Sequence, residues 1–135
     1  MIKRLIQFIR LKNVEKKDIL MTVCYILKAE IVLKFFSYKS SQKLIFRQVE
    51  GSLKGDAMPV LRRKILLVER VCRNLPWGVS CLRKSISLRD LLSKAGIGSE
   101  IRIGVNKVDG KVIAHAWVQC KGYEIFKNGE YSQLQ

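Results

Sequence analysis

Acidic side chains are scarce in this chain: 11 Asp and Glu stand against 26 Lys and Arg, a net charge of +15 over 135 residues. So basic a protein favours an acidic partner, whether nucleic acid, an anionic membrane surface or an acidic peptide. The excess is spread evenly, with 12 basic and 5 acidic residues up to position 57 and 14 and 6 beyond it. There is no basic tail of the kind that grips nucleic acid, and a nucleic-acid partner is not expected. Histidine is scarcer still, with His115 the single one, and Cys24, Cys72, Cys81 and Cys120 form no C-x-x-C pair. A conventional zinc set cannot be assembled from these, and no metal site is expected. No glycine-rich phosphate loop and no internal repeat is visible. The longest uncharged run in the apolar segment from Ile19 to Phe36 ends at Lys28, far short of the roughly 20 residues a membrane span needs. The opening MIKRLIQFIRLKN keeps acquiring charge and offers no small-residue cleavage site, so an export signal is not expected, and a reducing cytoplasm with free thiols follows.

What the chain has in quantity is apolar residues, 48% of the total, enough to build one core. Helical periodicity covers residues 2–11 and 15–38; the second segment reads as a helix buried on most sides, and this basic, apolar N-terminal part is compatible with peripheral contact with an anionic leaflet. After a loop at GSLKGDA, Pro59 opens a helix whose Leu61, Ile65, Val68, Cys72 and Leu75 share one face, with Arg62, Arg63, Glu69, Arg70 and Arg73 opposite. Pro76 and Gly78 end it. Ser80 then caps a helix beginning at Cys81, and Gly96 suits its C-terminal end. Beyond this the period changes to two. EIRIGVNKV, KVIAHAWVQC and YEIFK read as three antiparallel strands joined by turns at Asp109-Gly110 and Lys121-Gly122.

Alternation along the second strand puts Ile113, His115, Trp117 and Gln119 on one face and Val112, Ala114, Ala116, Val118 and Cys120 on the other. The preceding helix is expected to cover the His115 face and so to bring Cys81 to the imidazole. A thiolate at a helix start is stabilised by the unsatisfied N–H groups and the positive end of the dipole. A thiolate–imidazolium pair can attack a carbonyl carbon while those N–H groups hold the oxyanion, which is the logic of a cysteine peptidase. The ordinary alternatives are a cysteine that fills core space and a histidine that is merely packed.

The string NLPWGVSCLRKSISLRDLLSKAGIGSEIRIGVNKVDGKVIAHAWVQCKG, residues 74–122, closely resembles the stand-alone leader peptidase of lasso-peptide biosynthesis, a transglutaminase-like cysteine protease. The similarity lies in P-W, C-L with a following S-x-x-L, L-L and a glycine, I-G-V, and A-H-A-W-V with a turn glycine, in that order. It covers residues 58–122 well, and the N-terminal helices less distinctively. It implies an α+β, papain-like or transglutaminase-like core at residues 58–135 preceded by a helical region at 1–57. It further implies Cys81 as nucleophile, His115 as general base, and Trp77 and Trp117 as walls of the substrate site, although packing is the ordinary task of both tryptophans.

The chain departs from the family where an aspartate usually orients the histidine, since no aspartate follows His115. Asn128 is the substitute of choice, because an amide oxygen can accept the imidazole N–H, as in Cys-His-Asn sites; Glu130 and Glu124 are the other candidates. Gln119 stands where the family often has glutamate. The implied substrate is the leader of a ribosomally made precursor, cut near the leader–core junction. The implied partners are a separate leader-binding protein and an asparagine-synthetase-like cyclase acting on the released core peptide. Thiol chemistry requires no cofactor, although ATP use accompanies maturation in this family. The missing aspartate also suits a catalytically degenerate escort that binds the precursor without cutting it.

Overall fold

The computed structural model describes residues 2, 3, 6, 10, 13–35, 58–120, 122–127 and 132–133. Helix α1 (Asn13–Phe35), helix α2 (Met58–Asn74) and helix α3 (Cys81–Lys94) are followed by strands β1 (Glu100–Val108), β2 (Lys111–Cys120), β3 (Tyr123–Ile125) and β4 (Ser132–Gln133). All strand pairings are antiparallel, in the order β3-β2-β1-β4. The expected three-stranded meander is present, and β4 adds a short fourth strand beside β1. The architecture is α+β.

Helix α3 is the hub, packing against α1, α2 and the sheet. Ser85 through Arg89, together with Leu91 and Leu92, are all buried, because neighbours close on it from several sides. Two serines in the middle of a buried helix would cost stability if left unbonded. Ser85 Oγ donates to the Cys81 carbonyl and Ser87 Oγ to the Arg83 carbonyl, each at 2.8 Å. Their small size allows close helix approach, and an ion pair from Arg83 to Glu30 at 2.9 Å ties α3 to α1.

One cluster of the core joins Leu61 and Val68 of α2, Leu88, Leu91 and Leu92 of α3, and Val118, Cys120 and Ile125 of the sheet. Another joins Ala29 of α1 to Ile86, Ile101 and Ala116. On α2 the expected inner face is seen in Leu61 and Val68, while Val71 is more buried than Ile65 or Cys72.

Two expectations need correction. Helix α1 buries only one side, through Thr22, Ile26 and Ala29; Leu20, Ile31 and Phe35 on its outer side are 55%, 53% and 73% exposed. A segment apolar all round has one face in the core here, so burial on most sides does not hold for the described residues. No described helix is long and apolar enough to cross a membrane. The second correction concerns the sheet. Helix α3 packs on the β2 face carrying Ala116, Val118 and Cys120, not on the face carrying His115 and Trp117. The register agrees, since Ile101 and Ile103, which join the same core, pair with Val118 and Ala116.

Candidate active site

Cys81 is the first residue of α3. Ser80 is extended (φ −67°, ψ 159°), and its hydroxyl oxygen accepts the Arg83 N–H at 3.4 Å and the Arg83 guanidinium at 3.0 Å. Its carbonyl accepts the Lys84 N–H, the first bond of the helix. The N–H groups of residues 81 and 82 precede the hydrogen-bond ladder and are left at the helix mouth, beside the thiol.

The thiol meets β2 at its edge. β3 stops pairing with β2 at Val118, so among the described residues no strand pairs with the β2 edge beyond that point on this side. There the Ala116 N–H donates to Cys81 Sγ at 3.5 Å. The sulfur is therefore held against the residue that follows His115, approaching from the α3 side while the imidazole belongs to the other face. Both side chains line one cleft of about 370 Å³, with Ile65 and Glu69 of α2, Val79, Lys84, Ile125, Phe126 and Lys127.

His115 is fixed on its far side. Its Nε2 lies 2.6 Å from the Phe126 carbonyl oxygen. A carbonyl only accepts, so the proton of a neutral imidazole sits on Nε2 and the lone pair on Nδ1. Phe126 adopts φ +69°, an uncommon value for a residue with a side chain, and the turn it makes at the end of β3 carries the carbonyl toward the histidine. The imidazole also stacks on Trp117, with centroids 6.4 Å apart and planes inclined by 20°. Lys127 Nζ lies 4.8 Å from the Trp117 ring, and Lys84 Nζ 5.1 Å from the Phe126 ring.

The residues singled out from the sequence are thus unequally placed. Cys81 and His115 come together in the cleft. Trp117 is fully buried and supports the histidine from behind, without lining the cleft among the described residues. Trp77, 39% exposed in the turn after α2, does not line it either. Glu124 pairs with Lys127 at 2.9 Å. Asn128 and Glu130 lie outside the described residues.

Sequence reasoning missed Glu69, Lys84, Lys127 and the Phe126 carbonyl. Lys84 was within reach of helical spacing, three residues after Cys81 and hence on the same side of the helix. A main-chain carbonyl leaves no compositional trace.

A helix opening on a cysteine, laid against an antiparallel sheet whose strand supplies a tethered histidine, defines the papain-like class of thiol sites. The model of the Transglutaminase-like superfamily matches residues 38–134, and the chain belongs to that family, which includes cysteine proteases. No curated protein and no solved structure matches the chain.

Proposed function

We propose that this protein is a cysteine peptidase that removes the leader from a ribosomally synthesised lasso-peptide precursor. The observation that carries the chemistry is the shared cleft: a thiol at a helix mouth, and a histidine whose Nε2 proton is occupied by the Phe126 carbonyl, leaving Nδ1 as base. The substrate assignment rests on the sequence resemblance over residues 74–122.

In this reading Nδ1 takes the Cys81 proton, and Sγ attacks the carbonyl carbon of the scissile amide near the leader–core junction. The tetrahedral oxyanion is met by N–H groups at the start of α3. Collapse breaks the C–N bond as His115 returns the proton to the leaving amine, giving a thioester and a free amino end. Water, deprotonated by His115, then attacks the thioester, releasing the carboxylate and restoring the thiol. The Phe126 carbonyl performs the orienting task for which the sequence offers Asn128. Trp117 limits rotation of the imidazole, and Trp77, two residues before the cleft-lining Val79, is proposed to contact bound peptide. A leader-binding protein presents the precursor, the cyclase takes the released core, and the setting is the cytoplasm.

The test is mass spectrometry of a precursor incubated with its leader-binding protein and either the parent or Cys81→Ala. Cleavage near the junction by the parent alone supports the peptidase. A second reading, a degenerate escort, is favoured by one observation: no aspartate follows His115, and the acceptor seen is neutral. It expects intact precursor with both proteins and partner binding that survives loss of the thiol.

A further inference from the structure

A groove of about 510 Å³ lies between the start of α1 and the outer side of α2, floored by Ile19, Leu66 and Leu67 and edged by Arg62, Arg63 and Arg70. Asp18, its one acid, is ion-paired with Arg63 across the groove. Among the described residues no carboxylate forms an ion pair with Arg62 or Arg70, and both are exposed. Leu66 is 64% exposed, although it is a large aliphatic side chain.

Arg62, Leu66 and Arg70 are spaced by four and form one row along the helix. The two arginines are eight residues apart, about 12 Å along the axis, with the leucine midway. An extended peptide covers roughly 13 Å in four residues, with residues i, i+2 and i+4 directed to the same side. An acid-x-apolar-x-acid segment therefore matches the row in length, in phase and in charge. The row also adjoins the catalytic cleft: Ile65 and Glu69, which line the cleft, immediately precede Leu66 and Arg70 and form the neighbouring row of the same helix.

We infer that this groove is an exosite that holds an extended acidic segment of the peptide substrate, with two carboxylates on Arg62 and Arg70 and an apolar side chain on Leu66. The inference rests on the peptidase reading and names the substrate feature that reading leaves open. The groove grips the chain away from the bond that breaks, so it contributes to substrate capture and not to the chemical step.

The experiment uses the full chain and a fluorescein-labelled peptide carrying Glu-Ala-Leu-Ala-Glu between glycine–serine flanks, with binding read by anisotropy at low salt. The parent and Cys81→Ala are expected to bind equally. An Arg62→Glu, Arg70→Glu double variant is expected to bind roughly tenfold more weakly, as is a Gln-Ala-Leu-Ala-Gln probe with the parent. Leu66→Ser separates the apolar contribution, with a severalfold loss expected. All three positions are exposed, and circular dichroism checks that each variant is folded. Equal binding of the neutral probe, or unchanged binding by the double variant, overturns the exosite. So does binding to equimolar phosphatidylglycerol–phosphatidylcholine vesicles that the two substitutions abolish while peptide binding is untouched, which would assign the arginines to a lipid surface. Because the probe contains no cleavage site and Cys81→Ala is among the binders, the result stands whether or not the protein proves to be a peptidase.

Discussion

Replacing Phe126 by proline and, separately, by glycine tests whether the main chain positions the histidine. Proline holds φ near −65°, so it cannot keep the +69° seen here, and the rotation of roughly 130° about N–Cα swings the carbonyl away from His115. The Nε2–H then loses the acceptor now 2.6 Å away, and the ring is free to turn from the orientation that leaves Nδ1 as base. Misplacement of a reacting group by about 1 Å costs on the order of 10²-fold in rate, and kcat is expected to fall by about that factor in Phe126→Pro. Glycine adopts positive φ freely and keeps the carbonyl. It relieves roughly 1 kcal/mol of backbone strain, but loses a half-buried ring worth about 1 kcal/mol and the contact with Lys84. Phe126→Gly should therefore be nearly as stable as the parent and keep kcat within a few-fold. Asn128→Ala should do the same if the carbonyl is sufficient. The assay is single-turnover cleavage of the precursor with partner in excess, followed across pH so that a change in the histidine limb is separated from general damage. Parental kcat in Phe126→Pro, or a loss of about 10³-fold in Asn128→Ala, would refute the main-chain acceptor.

Three further outcomes follow from the packing and the cap. Leu88 is fully buried where α2, α3 and the sheet meet, so Leu88→Ala should cost about 2–5 kcal/mol in denaturant unfolding. Ser80→Ala removes the acceptor of the Arg83 N–H and should cost about 1 kcal/mol, with slower alkylation of Cys81 as the mouth of α3 frays. The cysteines should label in an order set by burial. Exposed Cys24 reacts early, Cys120, 1% exposed, reacts late, and Cys72 lags because burial pushes its thiol above the ordinary value despite the opposing Lys84 charge. Since only the thiolate reacts, Cys72 labelling should keep rising with pH after that of glutathione in the same solution has levelled off, and peptide mapping of iodoacetamide adducts would show it. A Cys72 profile coincident with that of glutathione would count against the burial seen here.

Local chemistry made much of the fold legible. Ser80 before Cys81 reads as a cap because a hydroxyl satisfies a first-turn N–H, and the helix begins there. Asp109-Gly110 reads as a hairpin turn because it demands two positive φ values, and it has +50° and +77°. Alternation in β2 correctly grouped His115 with Trp117, which stack. What alternation cannot say is which of two grouped faces a helix will cover. That is set by volumes brought together from α1, α3 and β1, and the covered face proved to be that of Ala116, Val118 and Cys120.

The cysteine and the histidine are sequence properties: residue type, a helix start and a strand are enough to nominate Cys81 and His115. Their meeting is a tertiary property, made at the edge of β2 by a contact spanning 35 residues, from Cys81 to Ala116. The Phe126 carbonyl and the arginine groove are tertiary too. Every residue carries a carbonyl, and five residues of α2 and 21 elsewhere in the chain are lysine or arginine only by composition until folding decides which of them face a common space. Side-chain identity specifies what a group can do, and the path of the backbone decides which groups it can do it with.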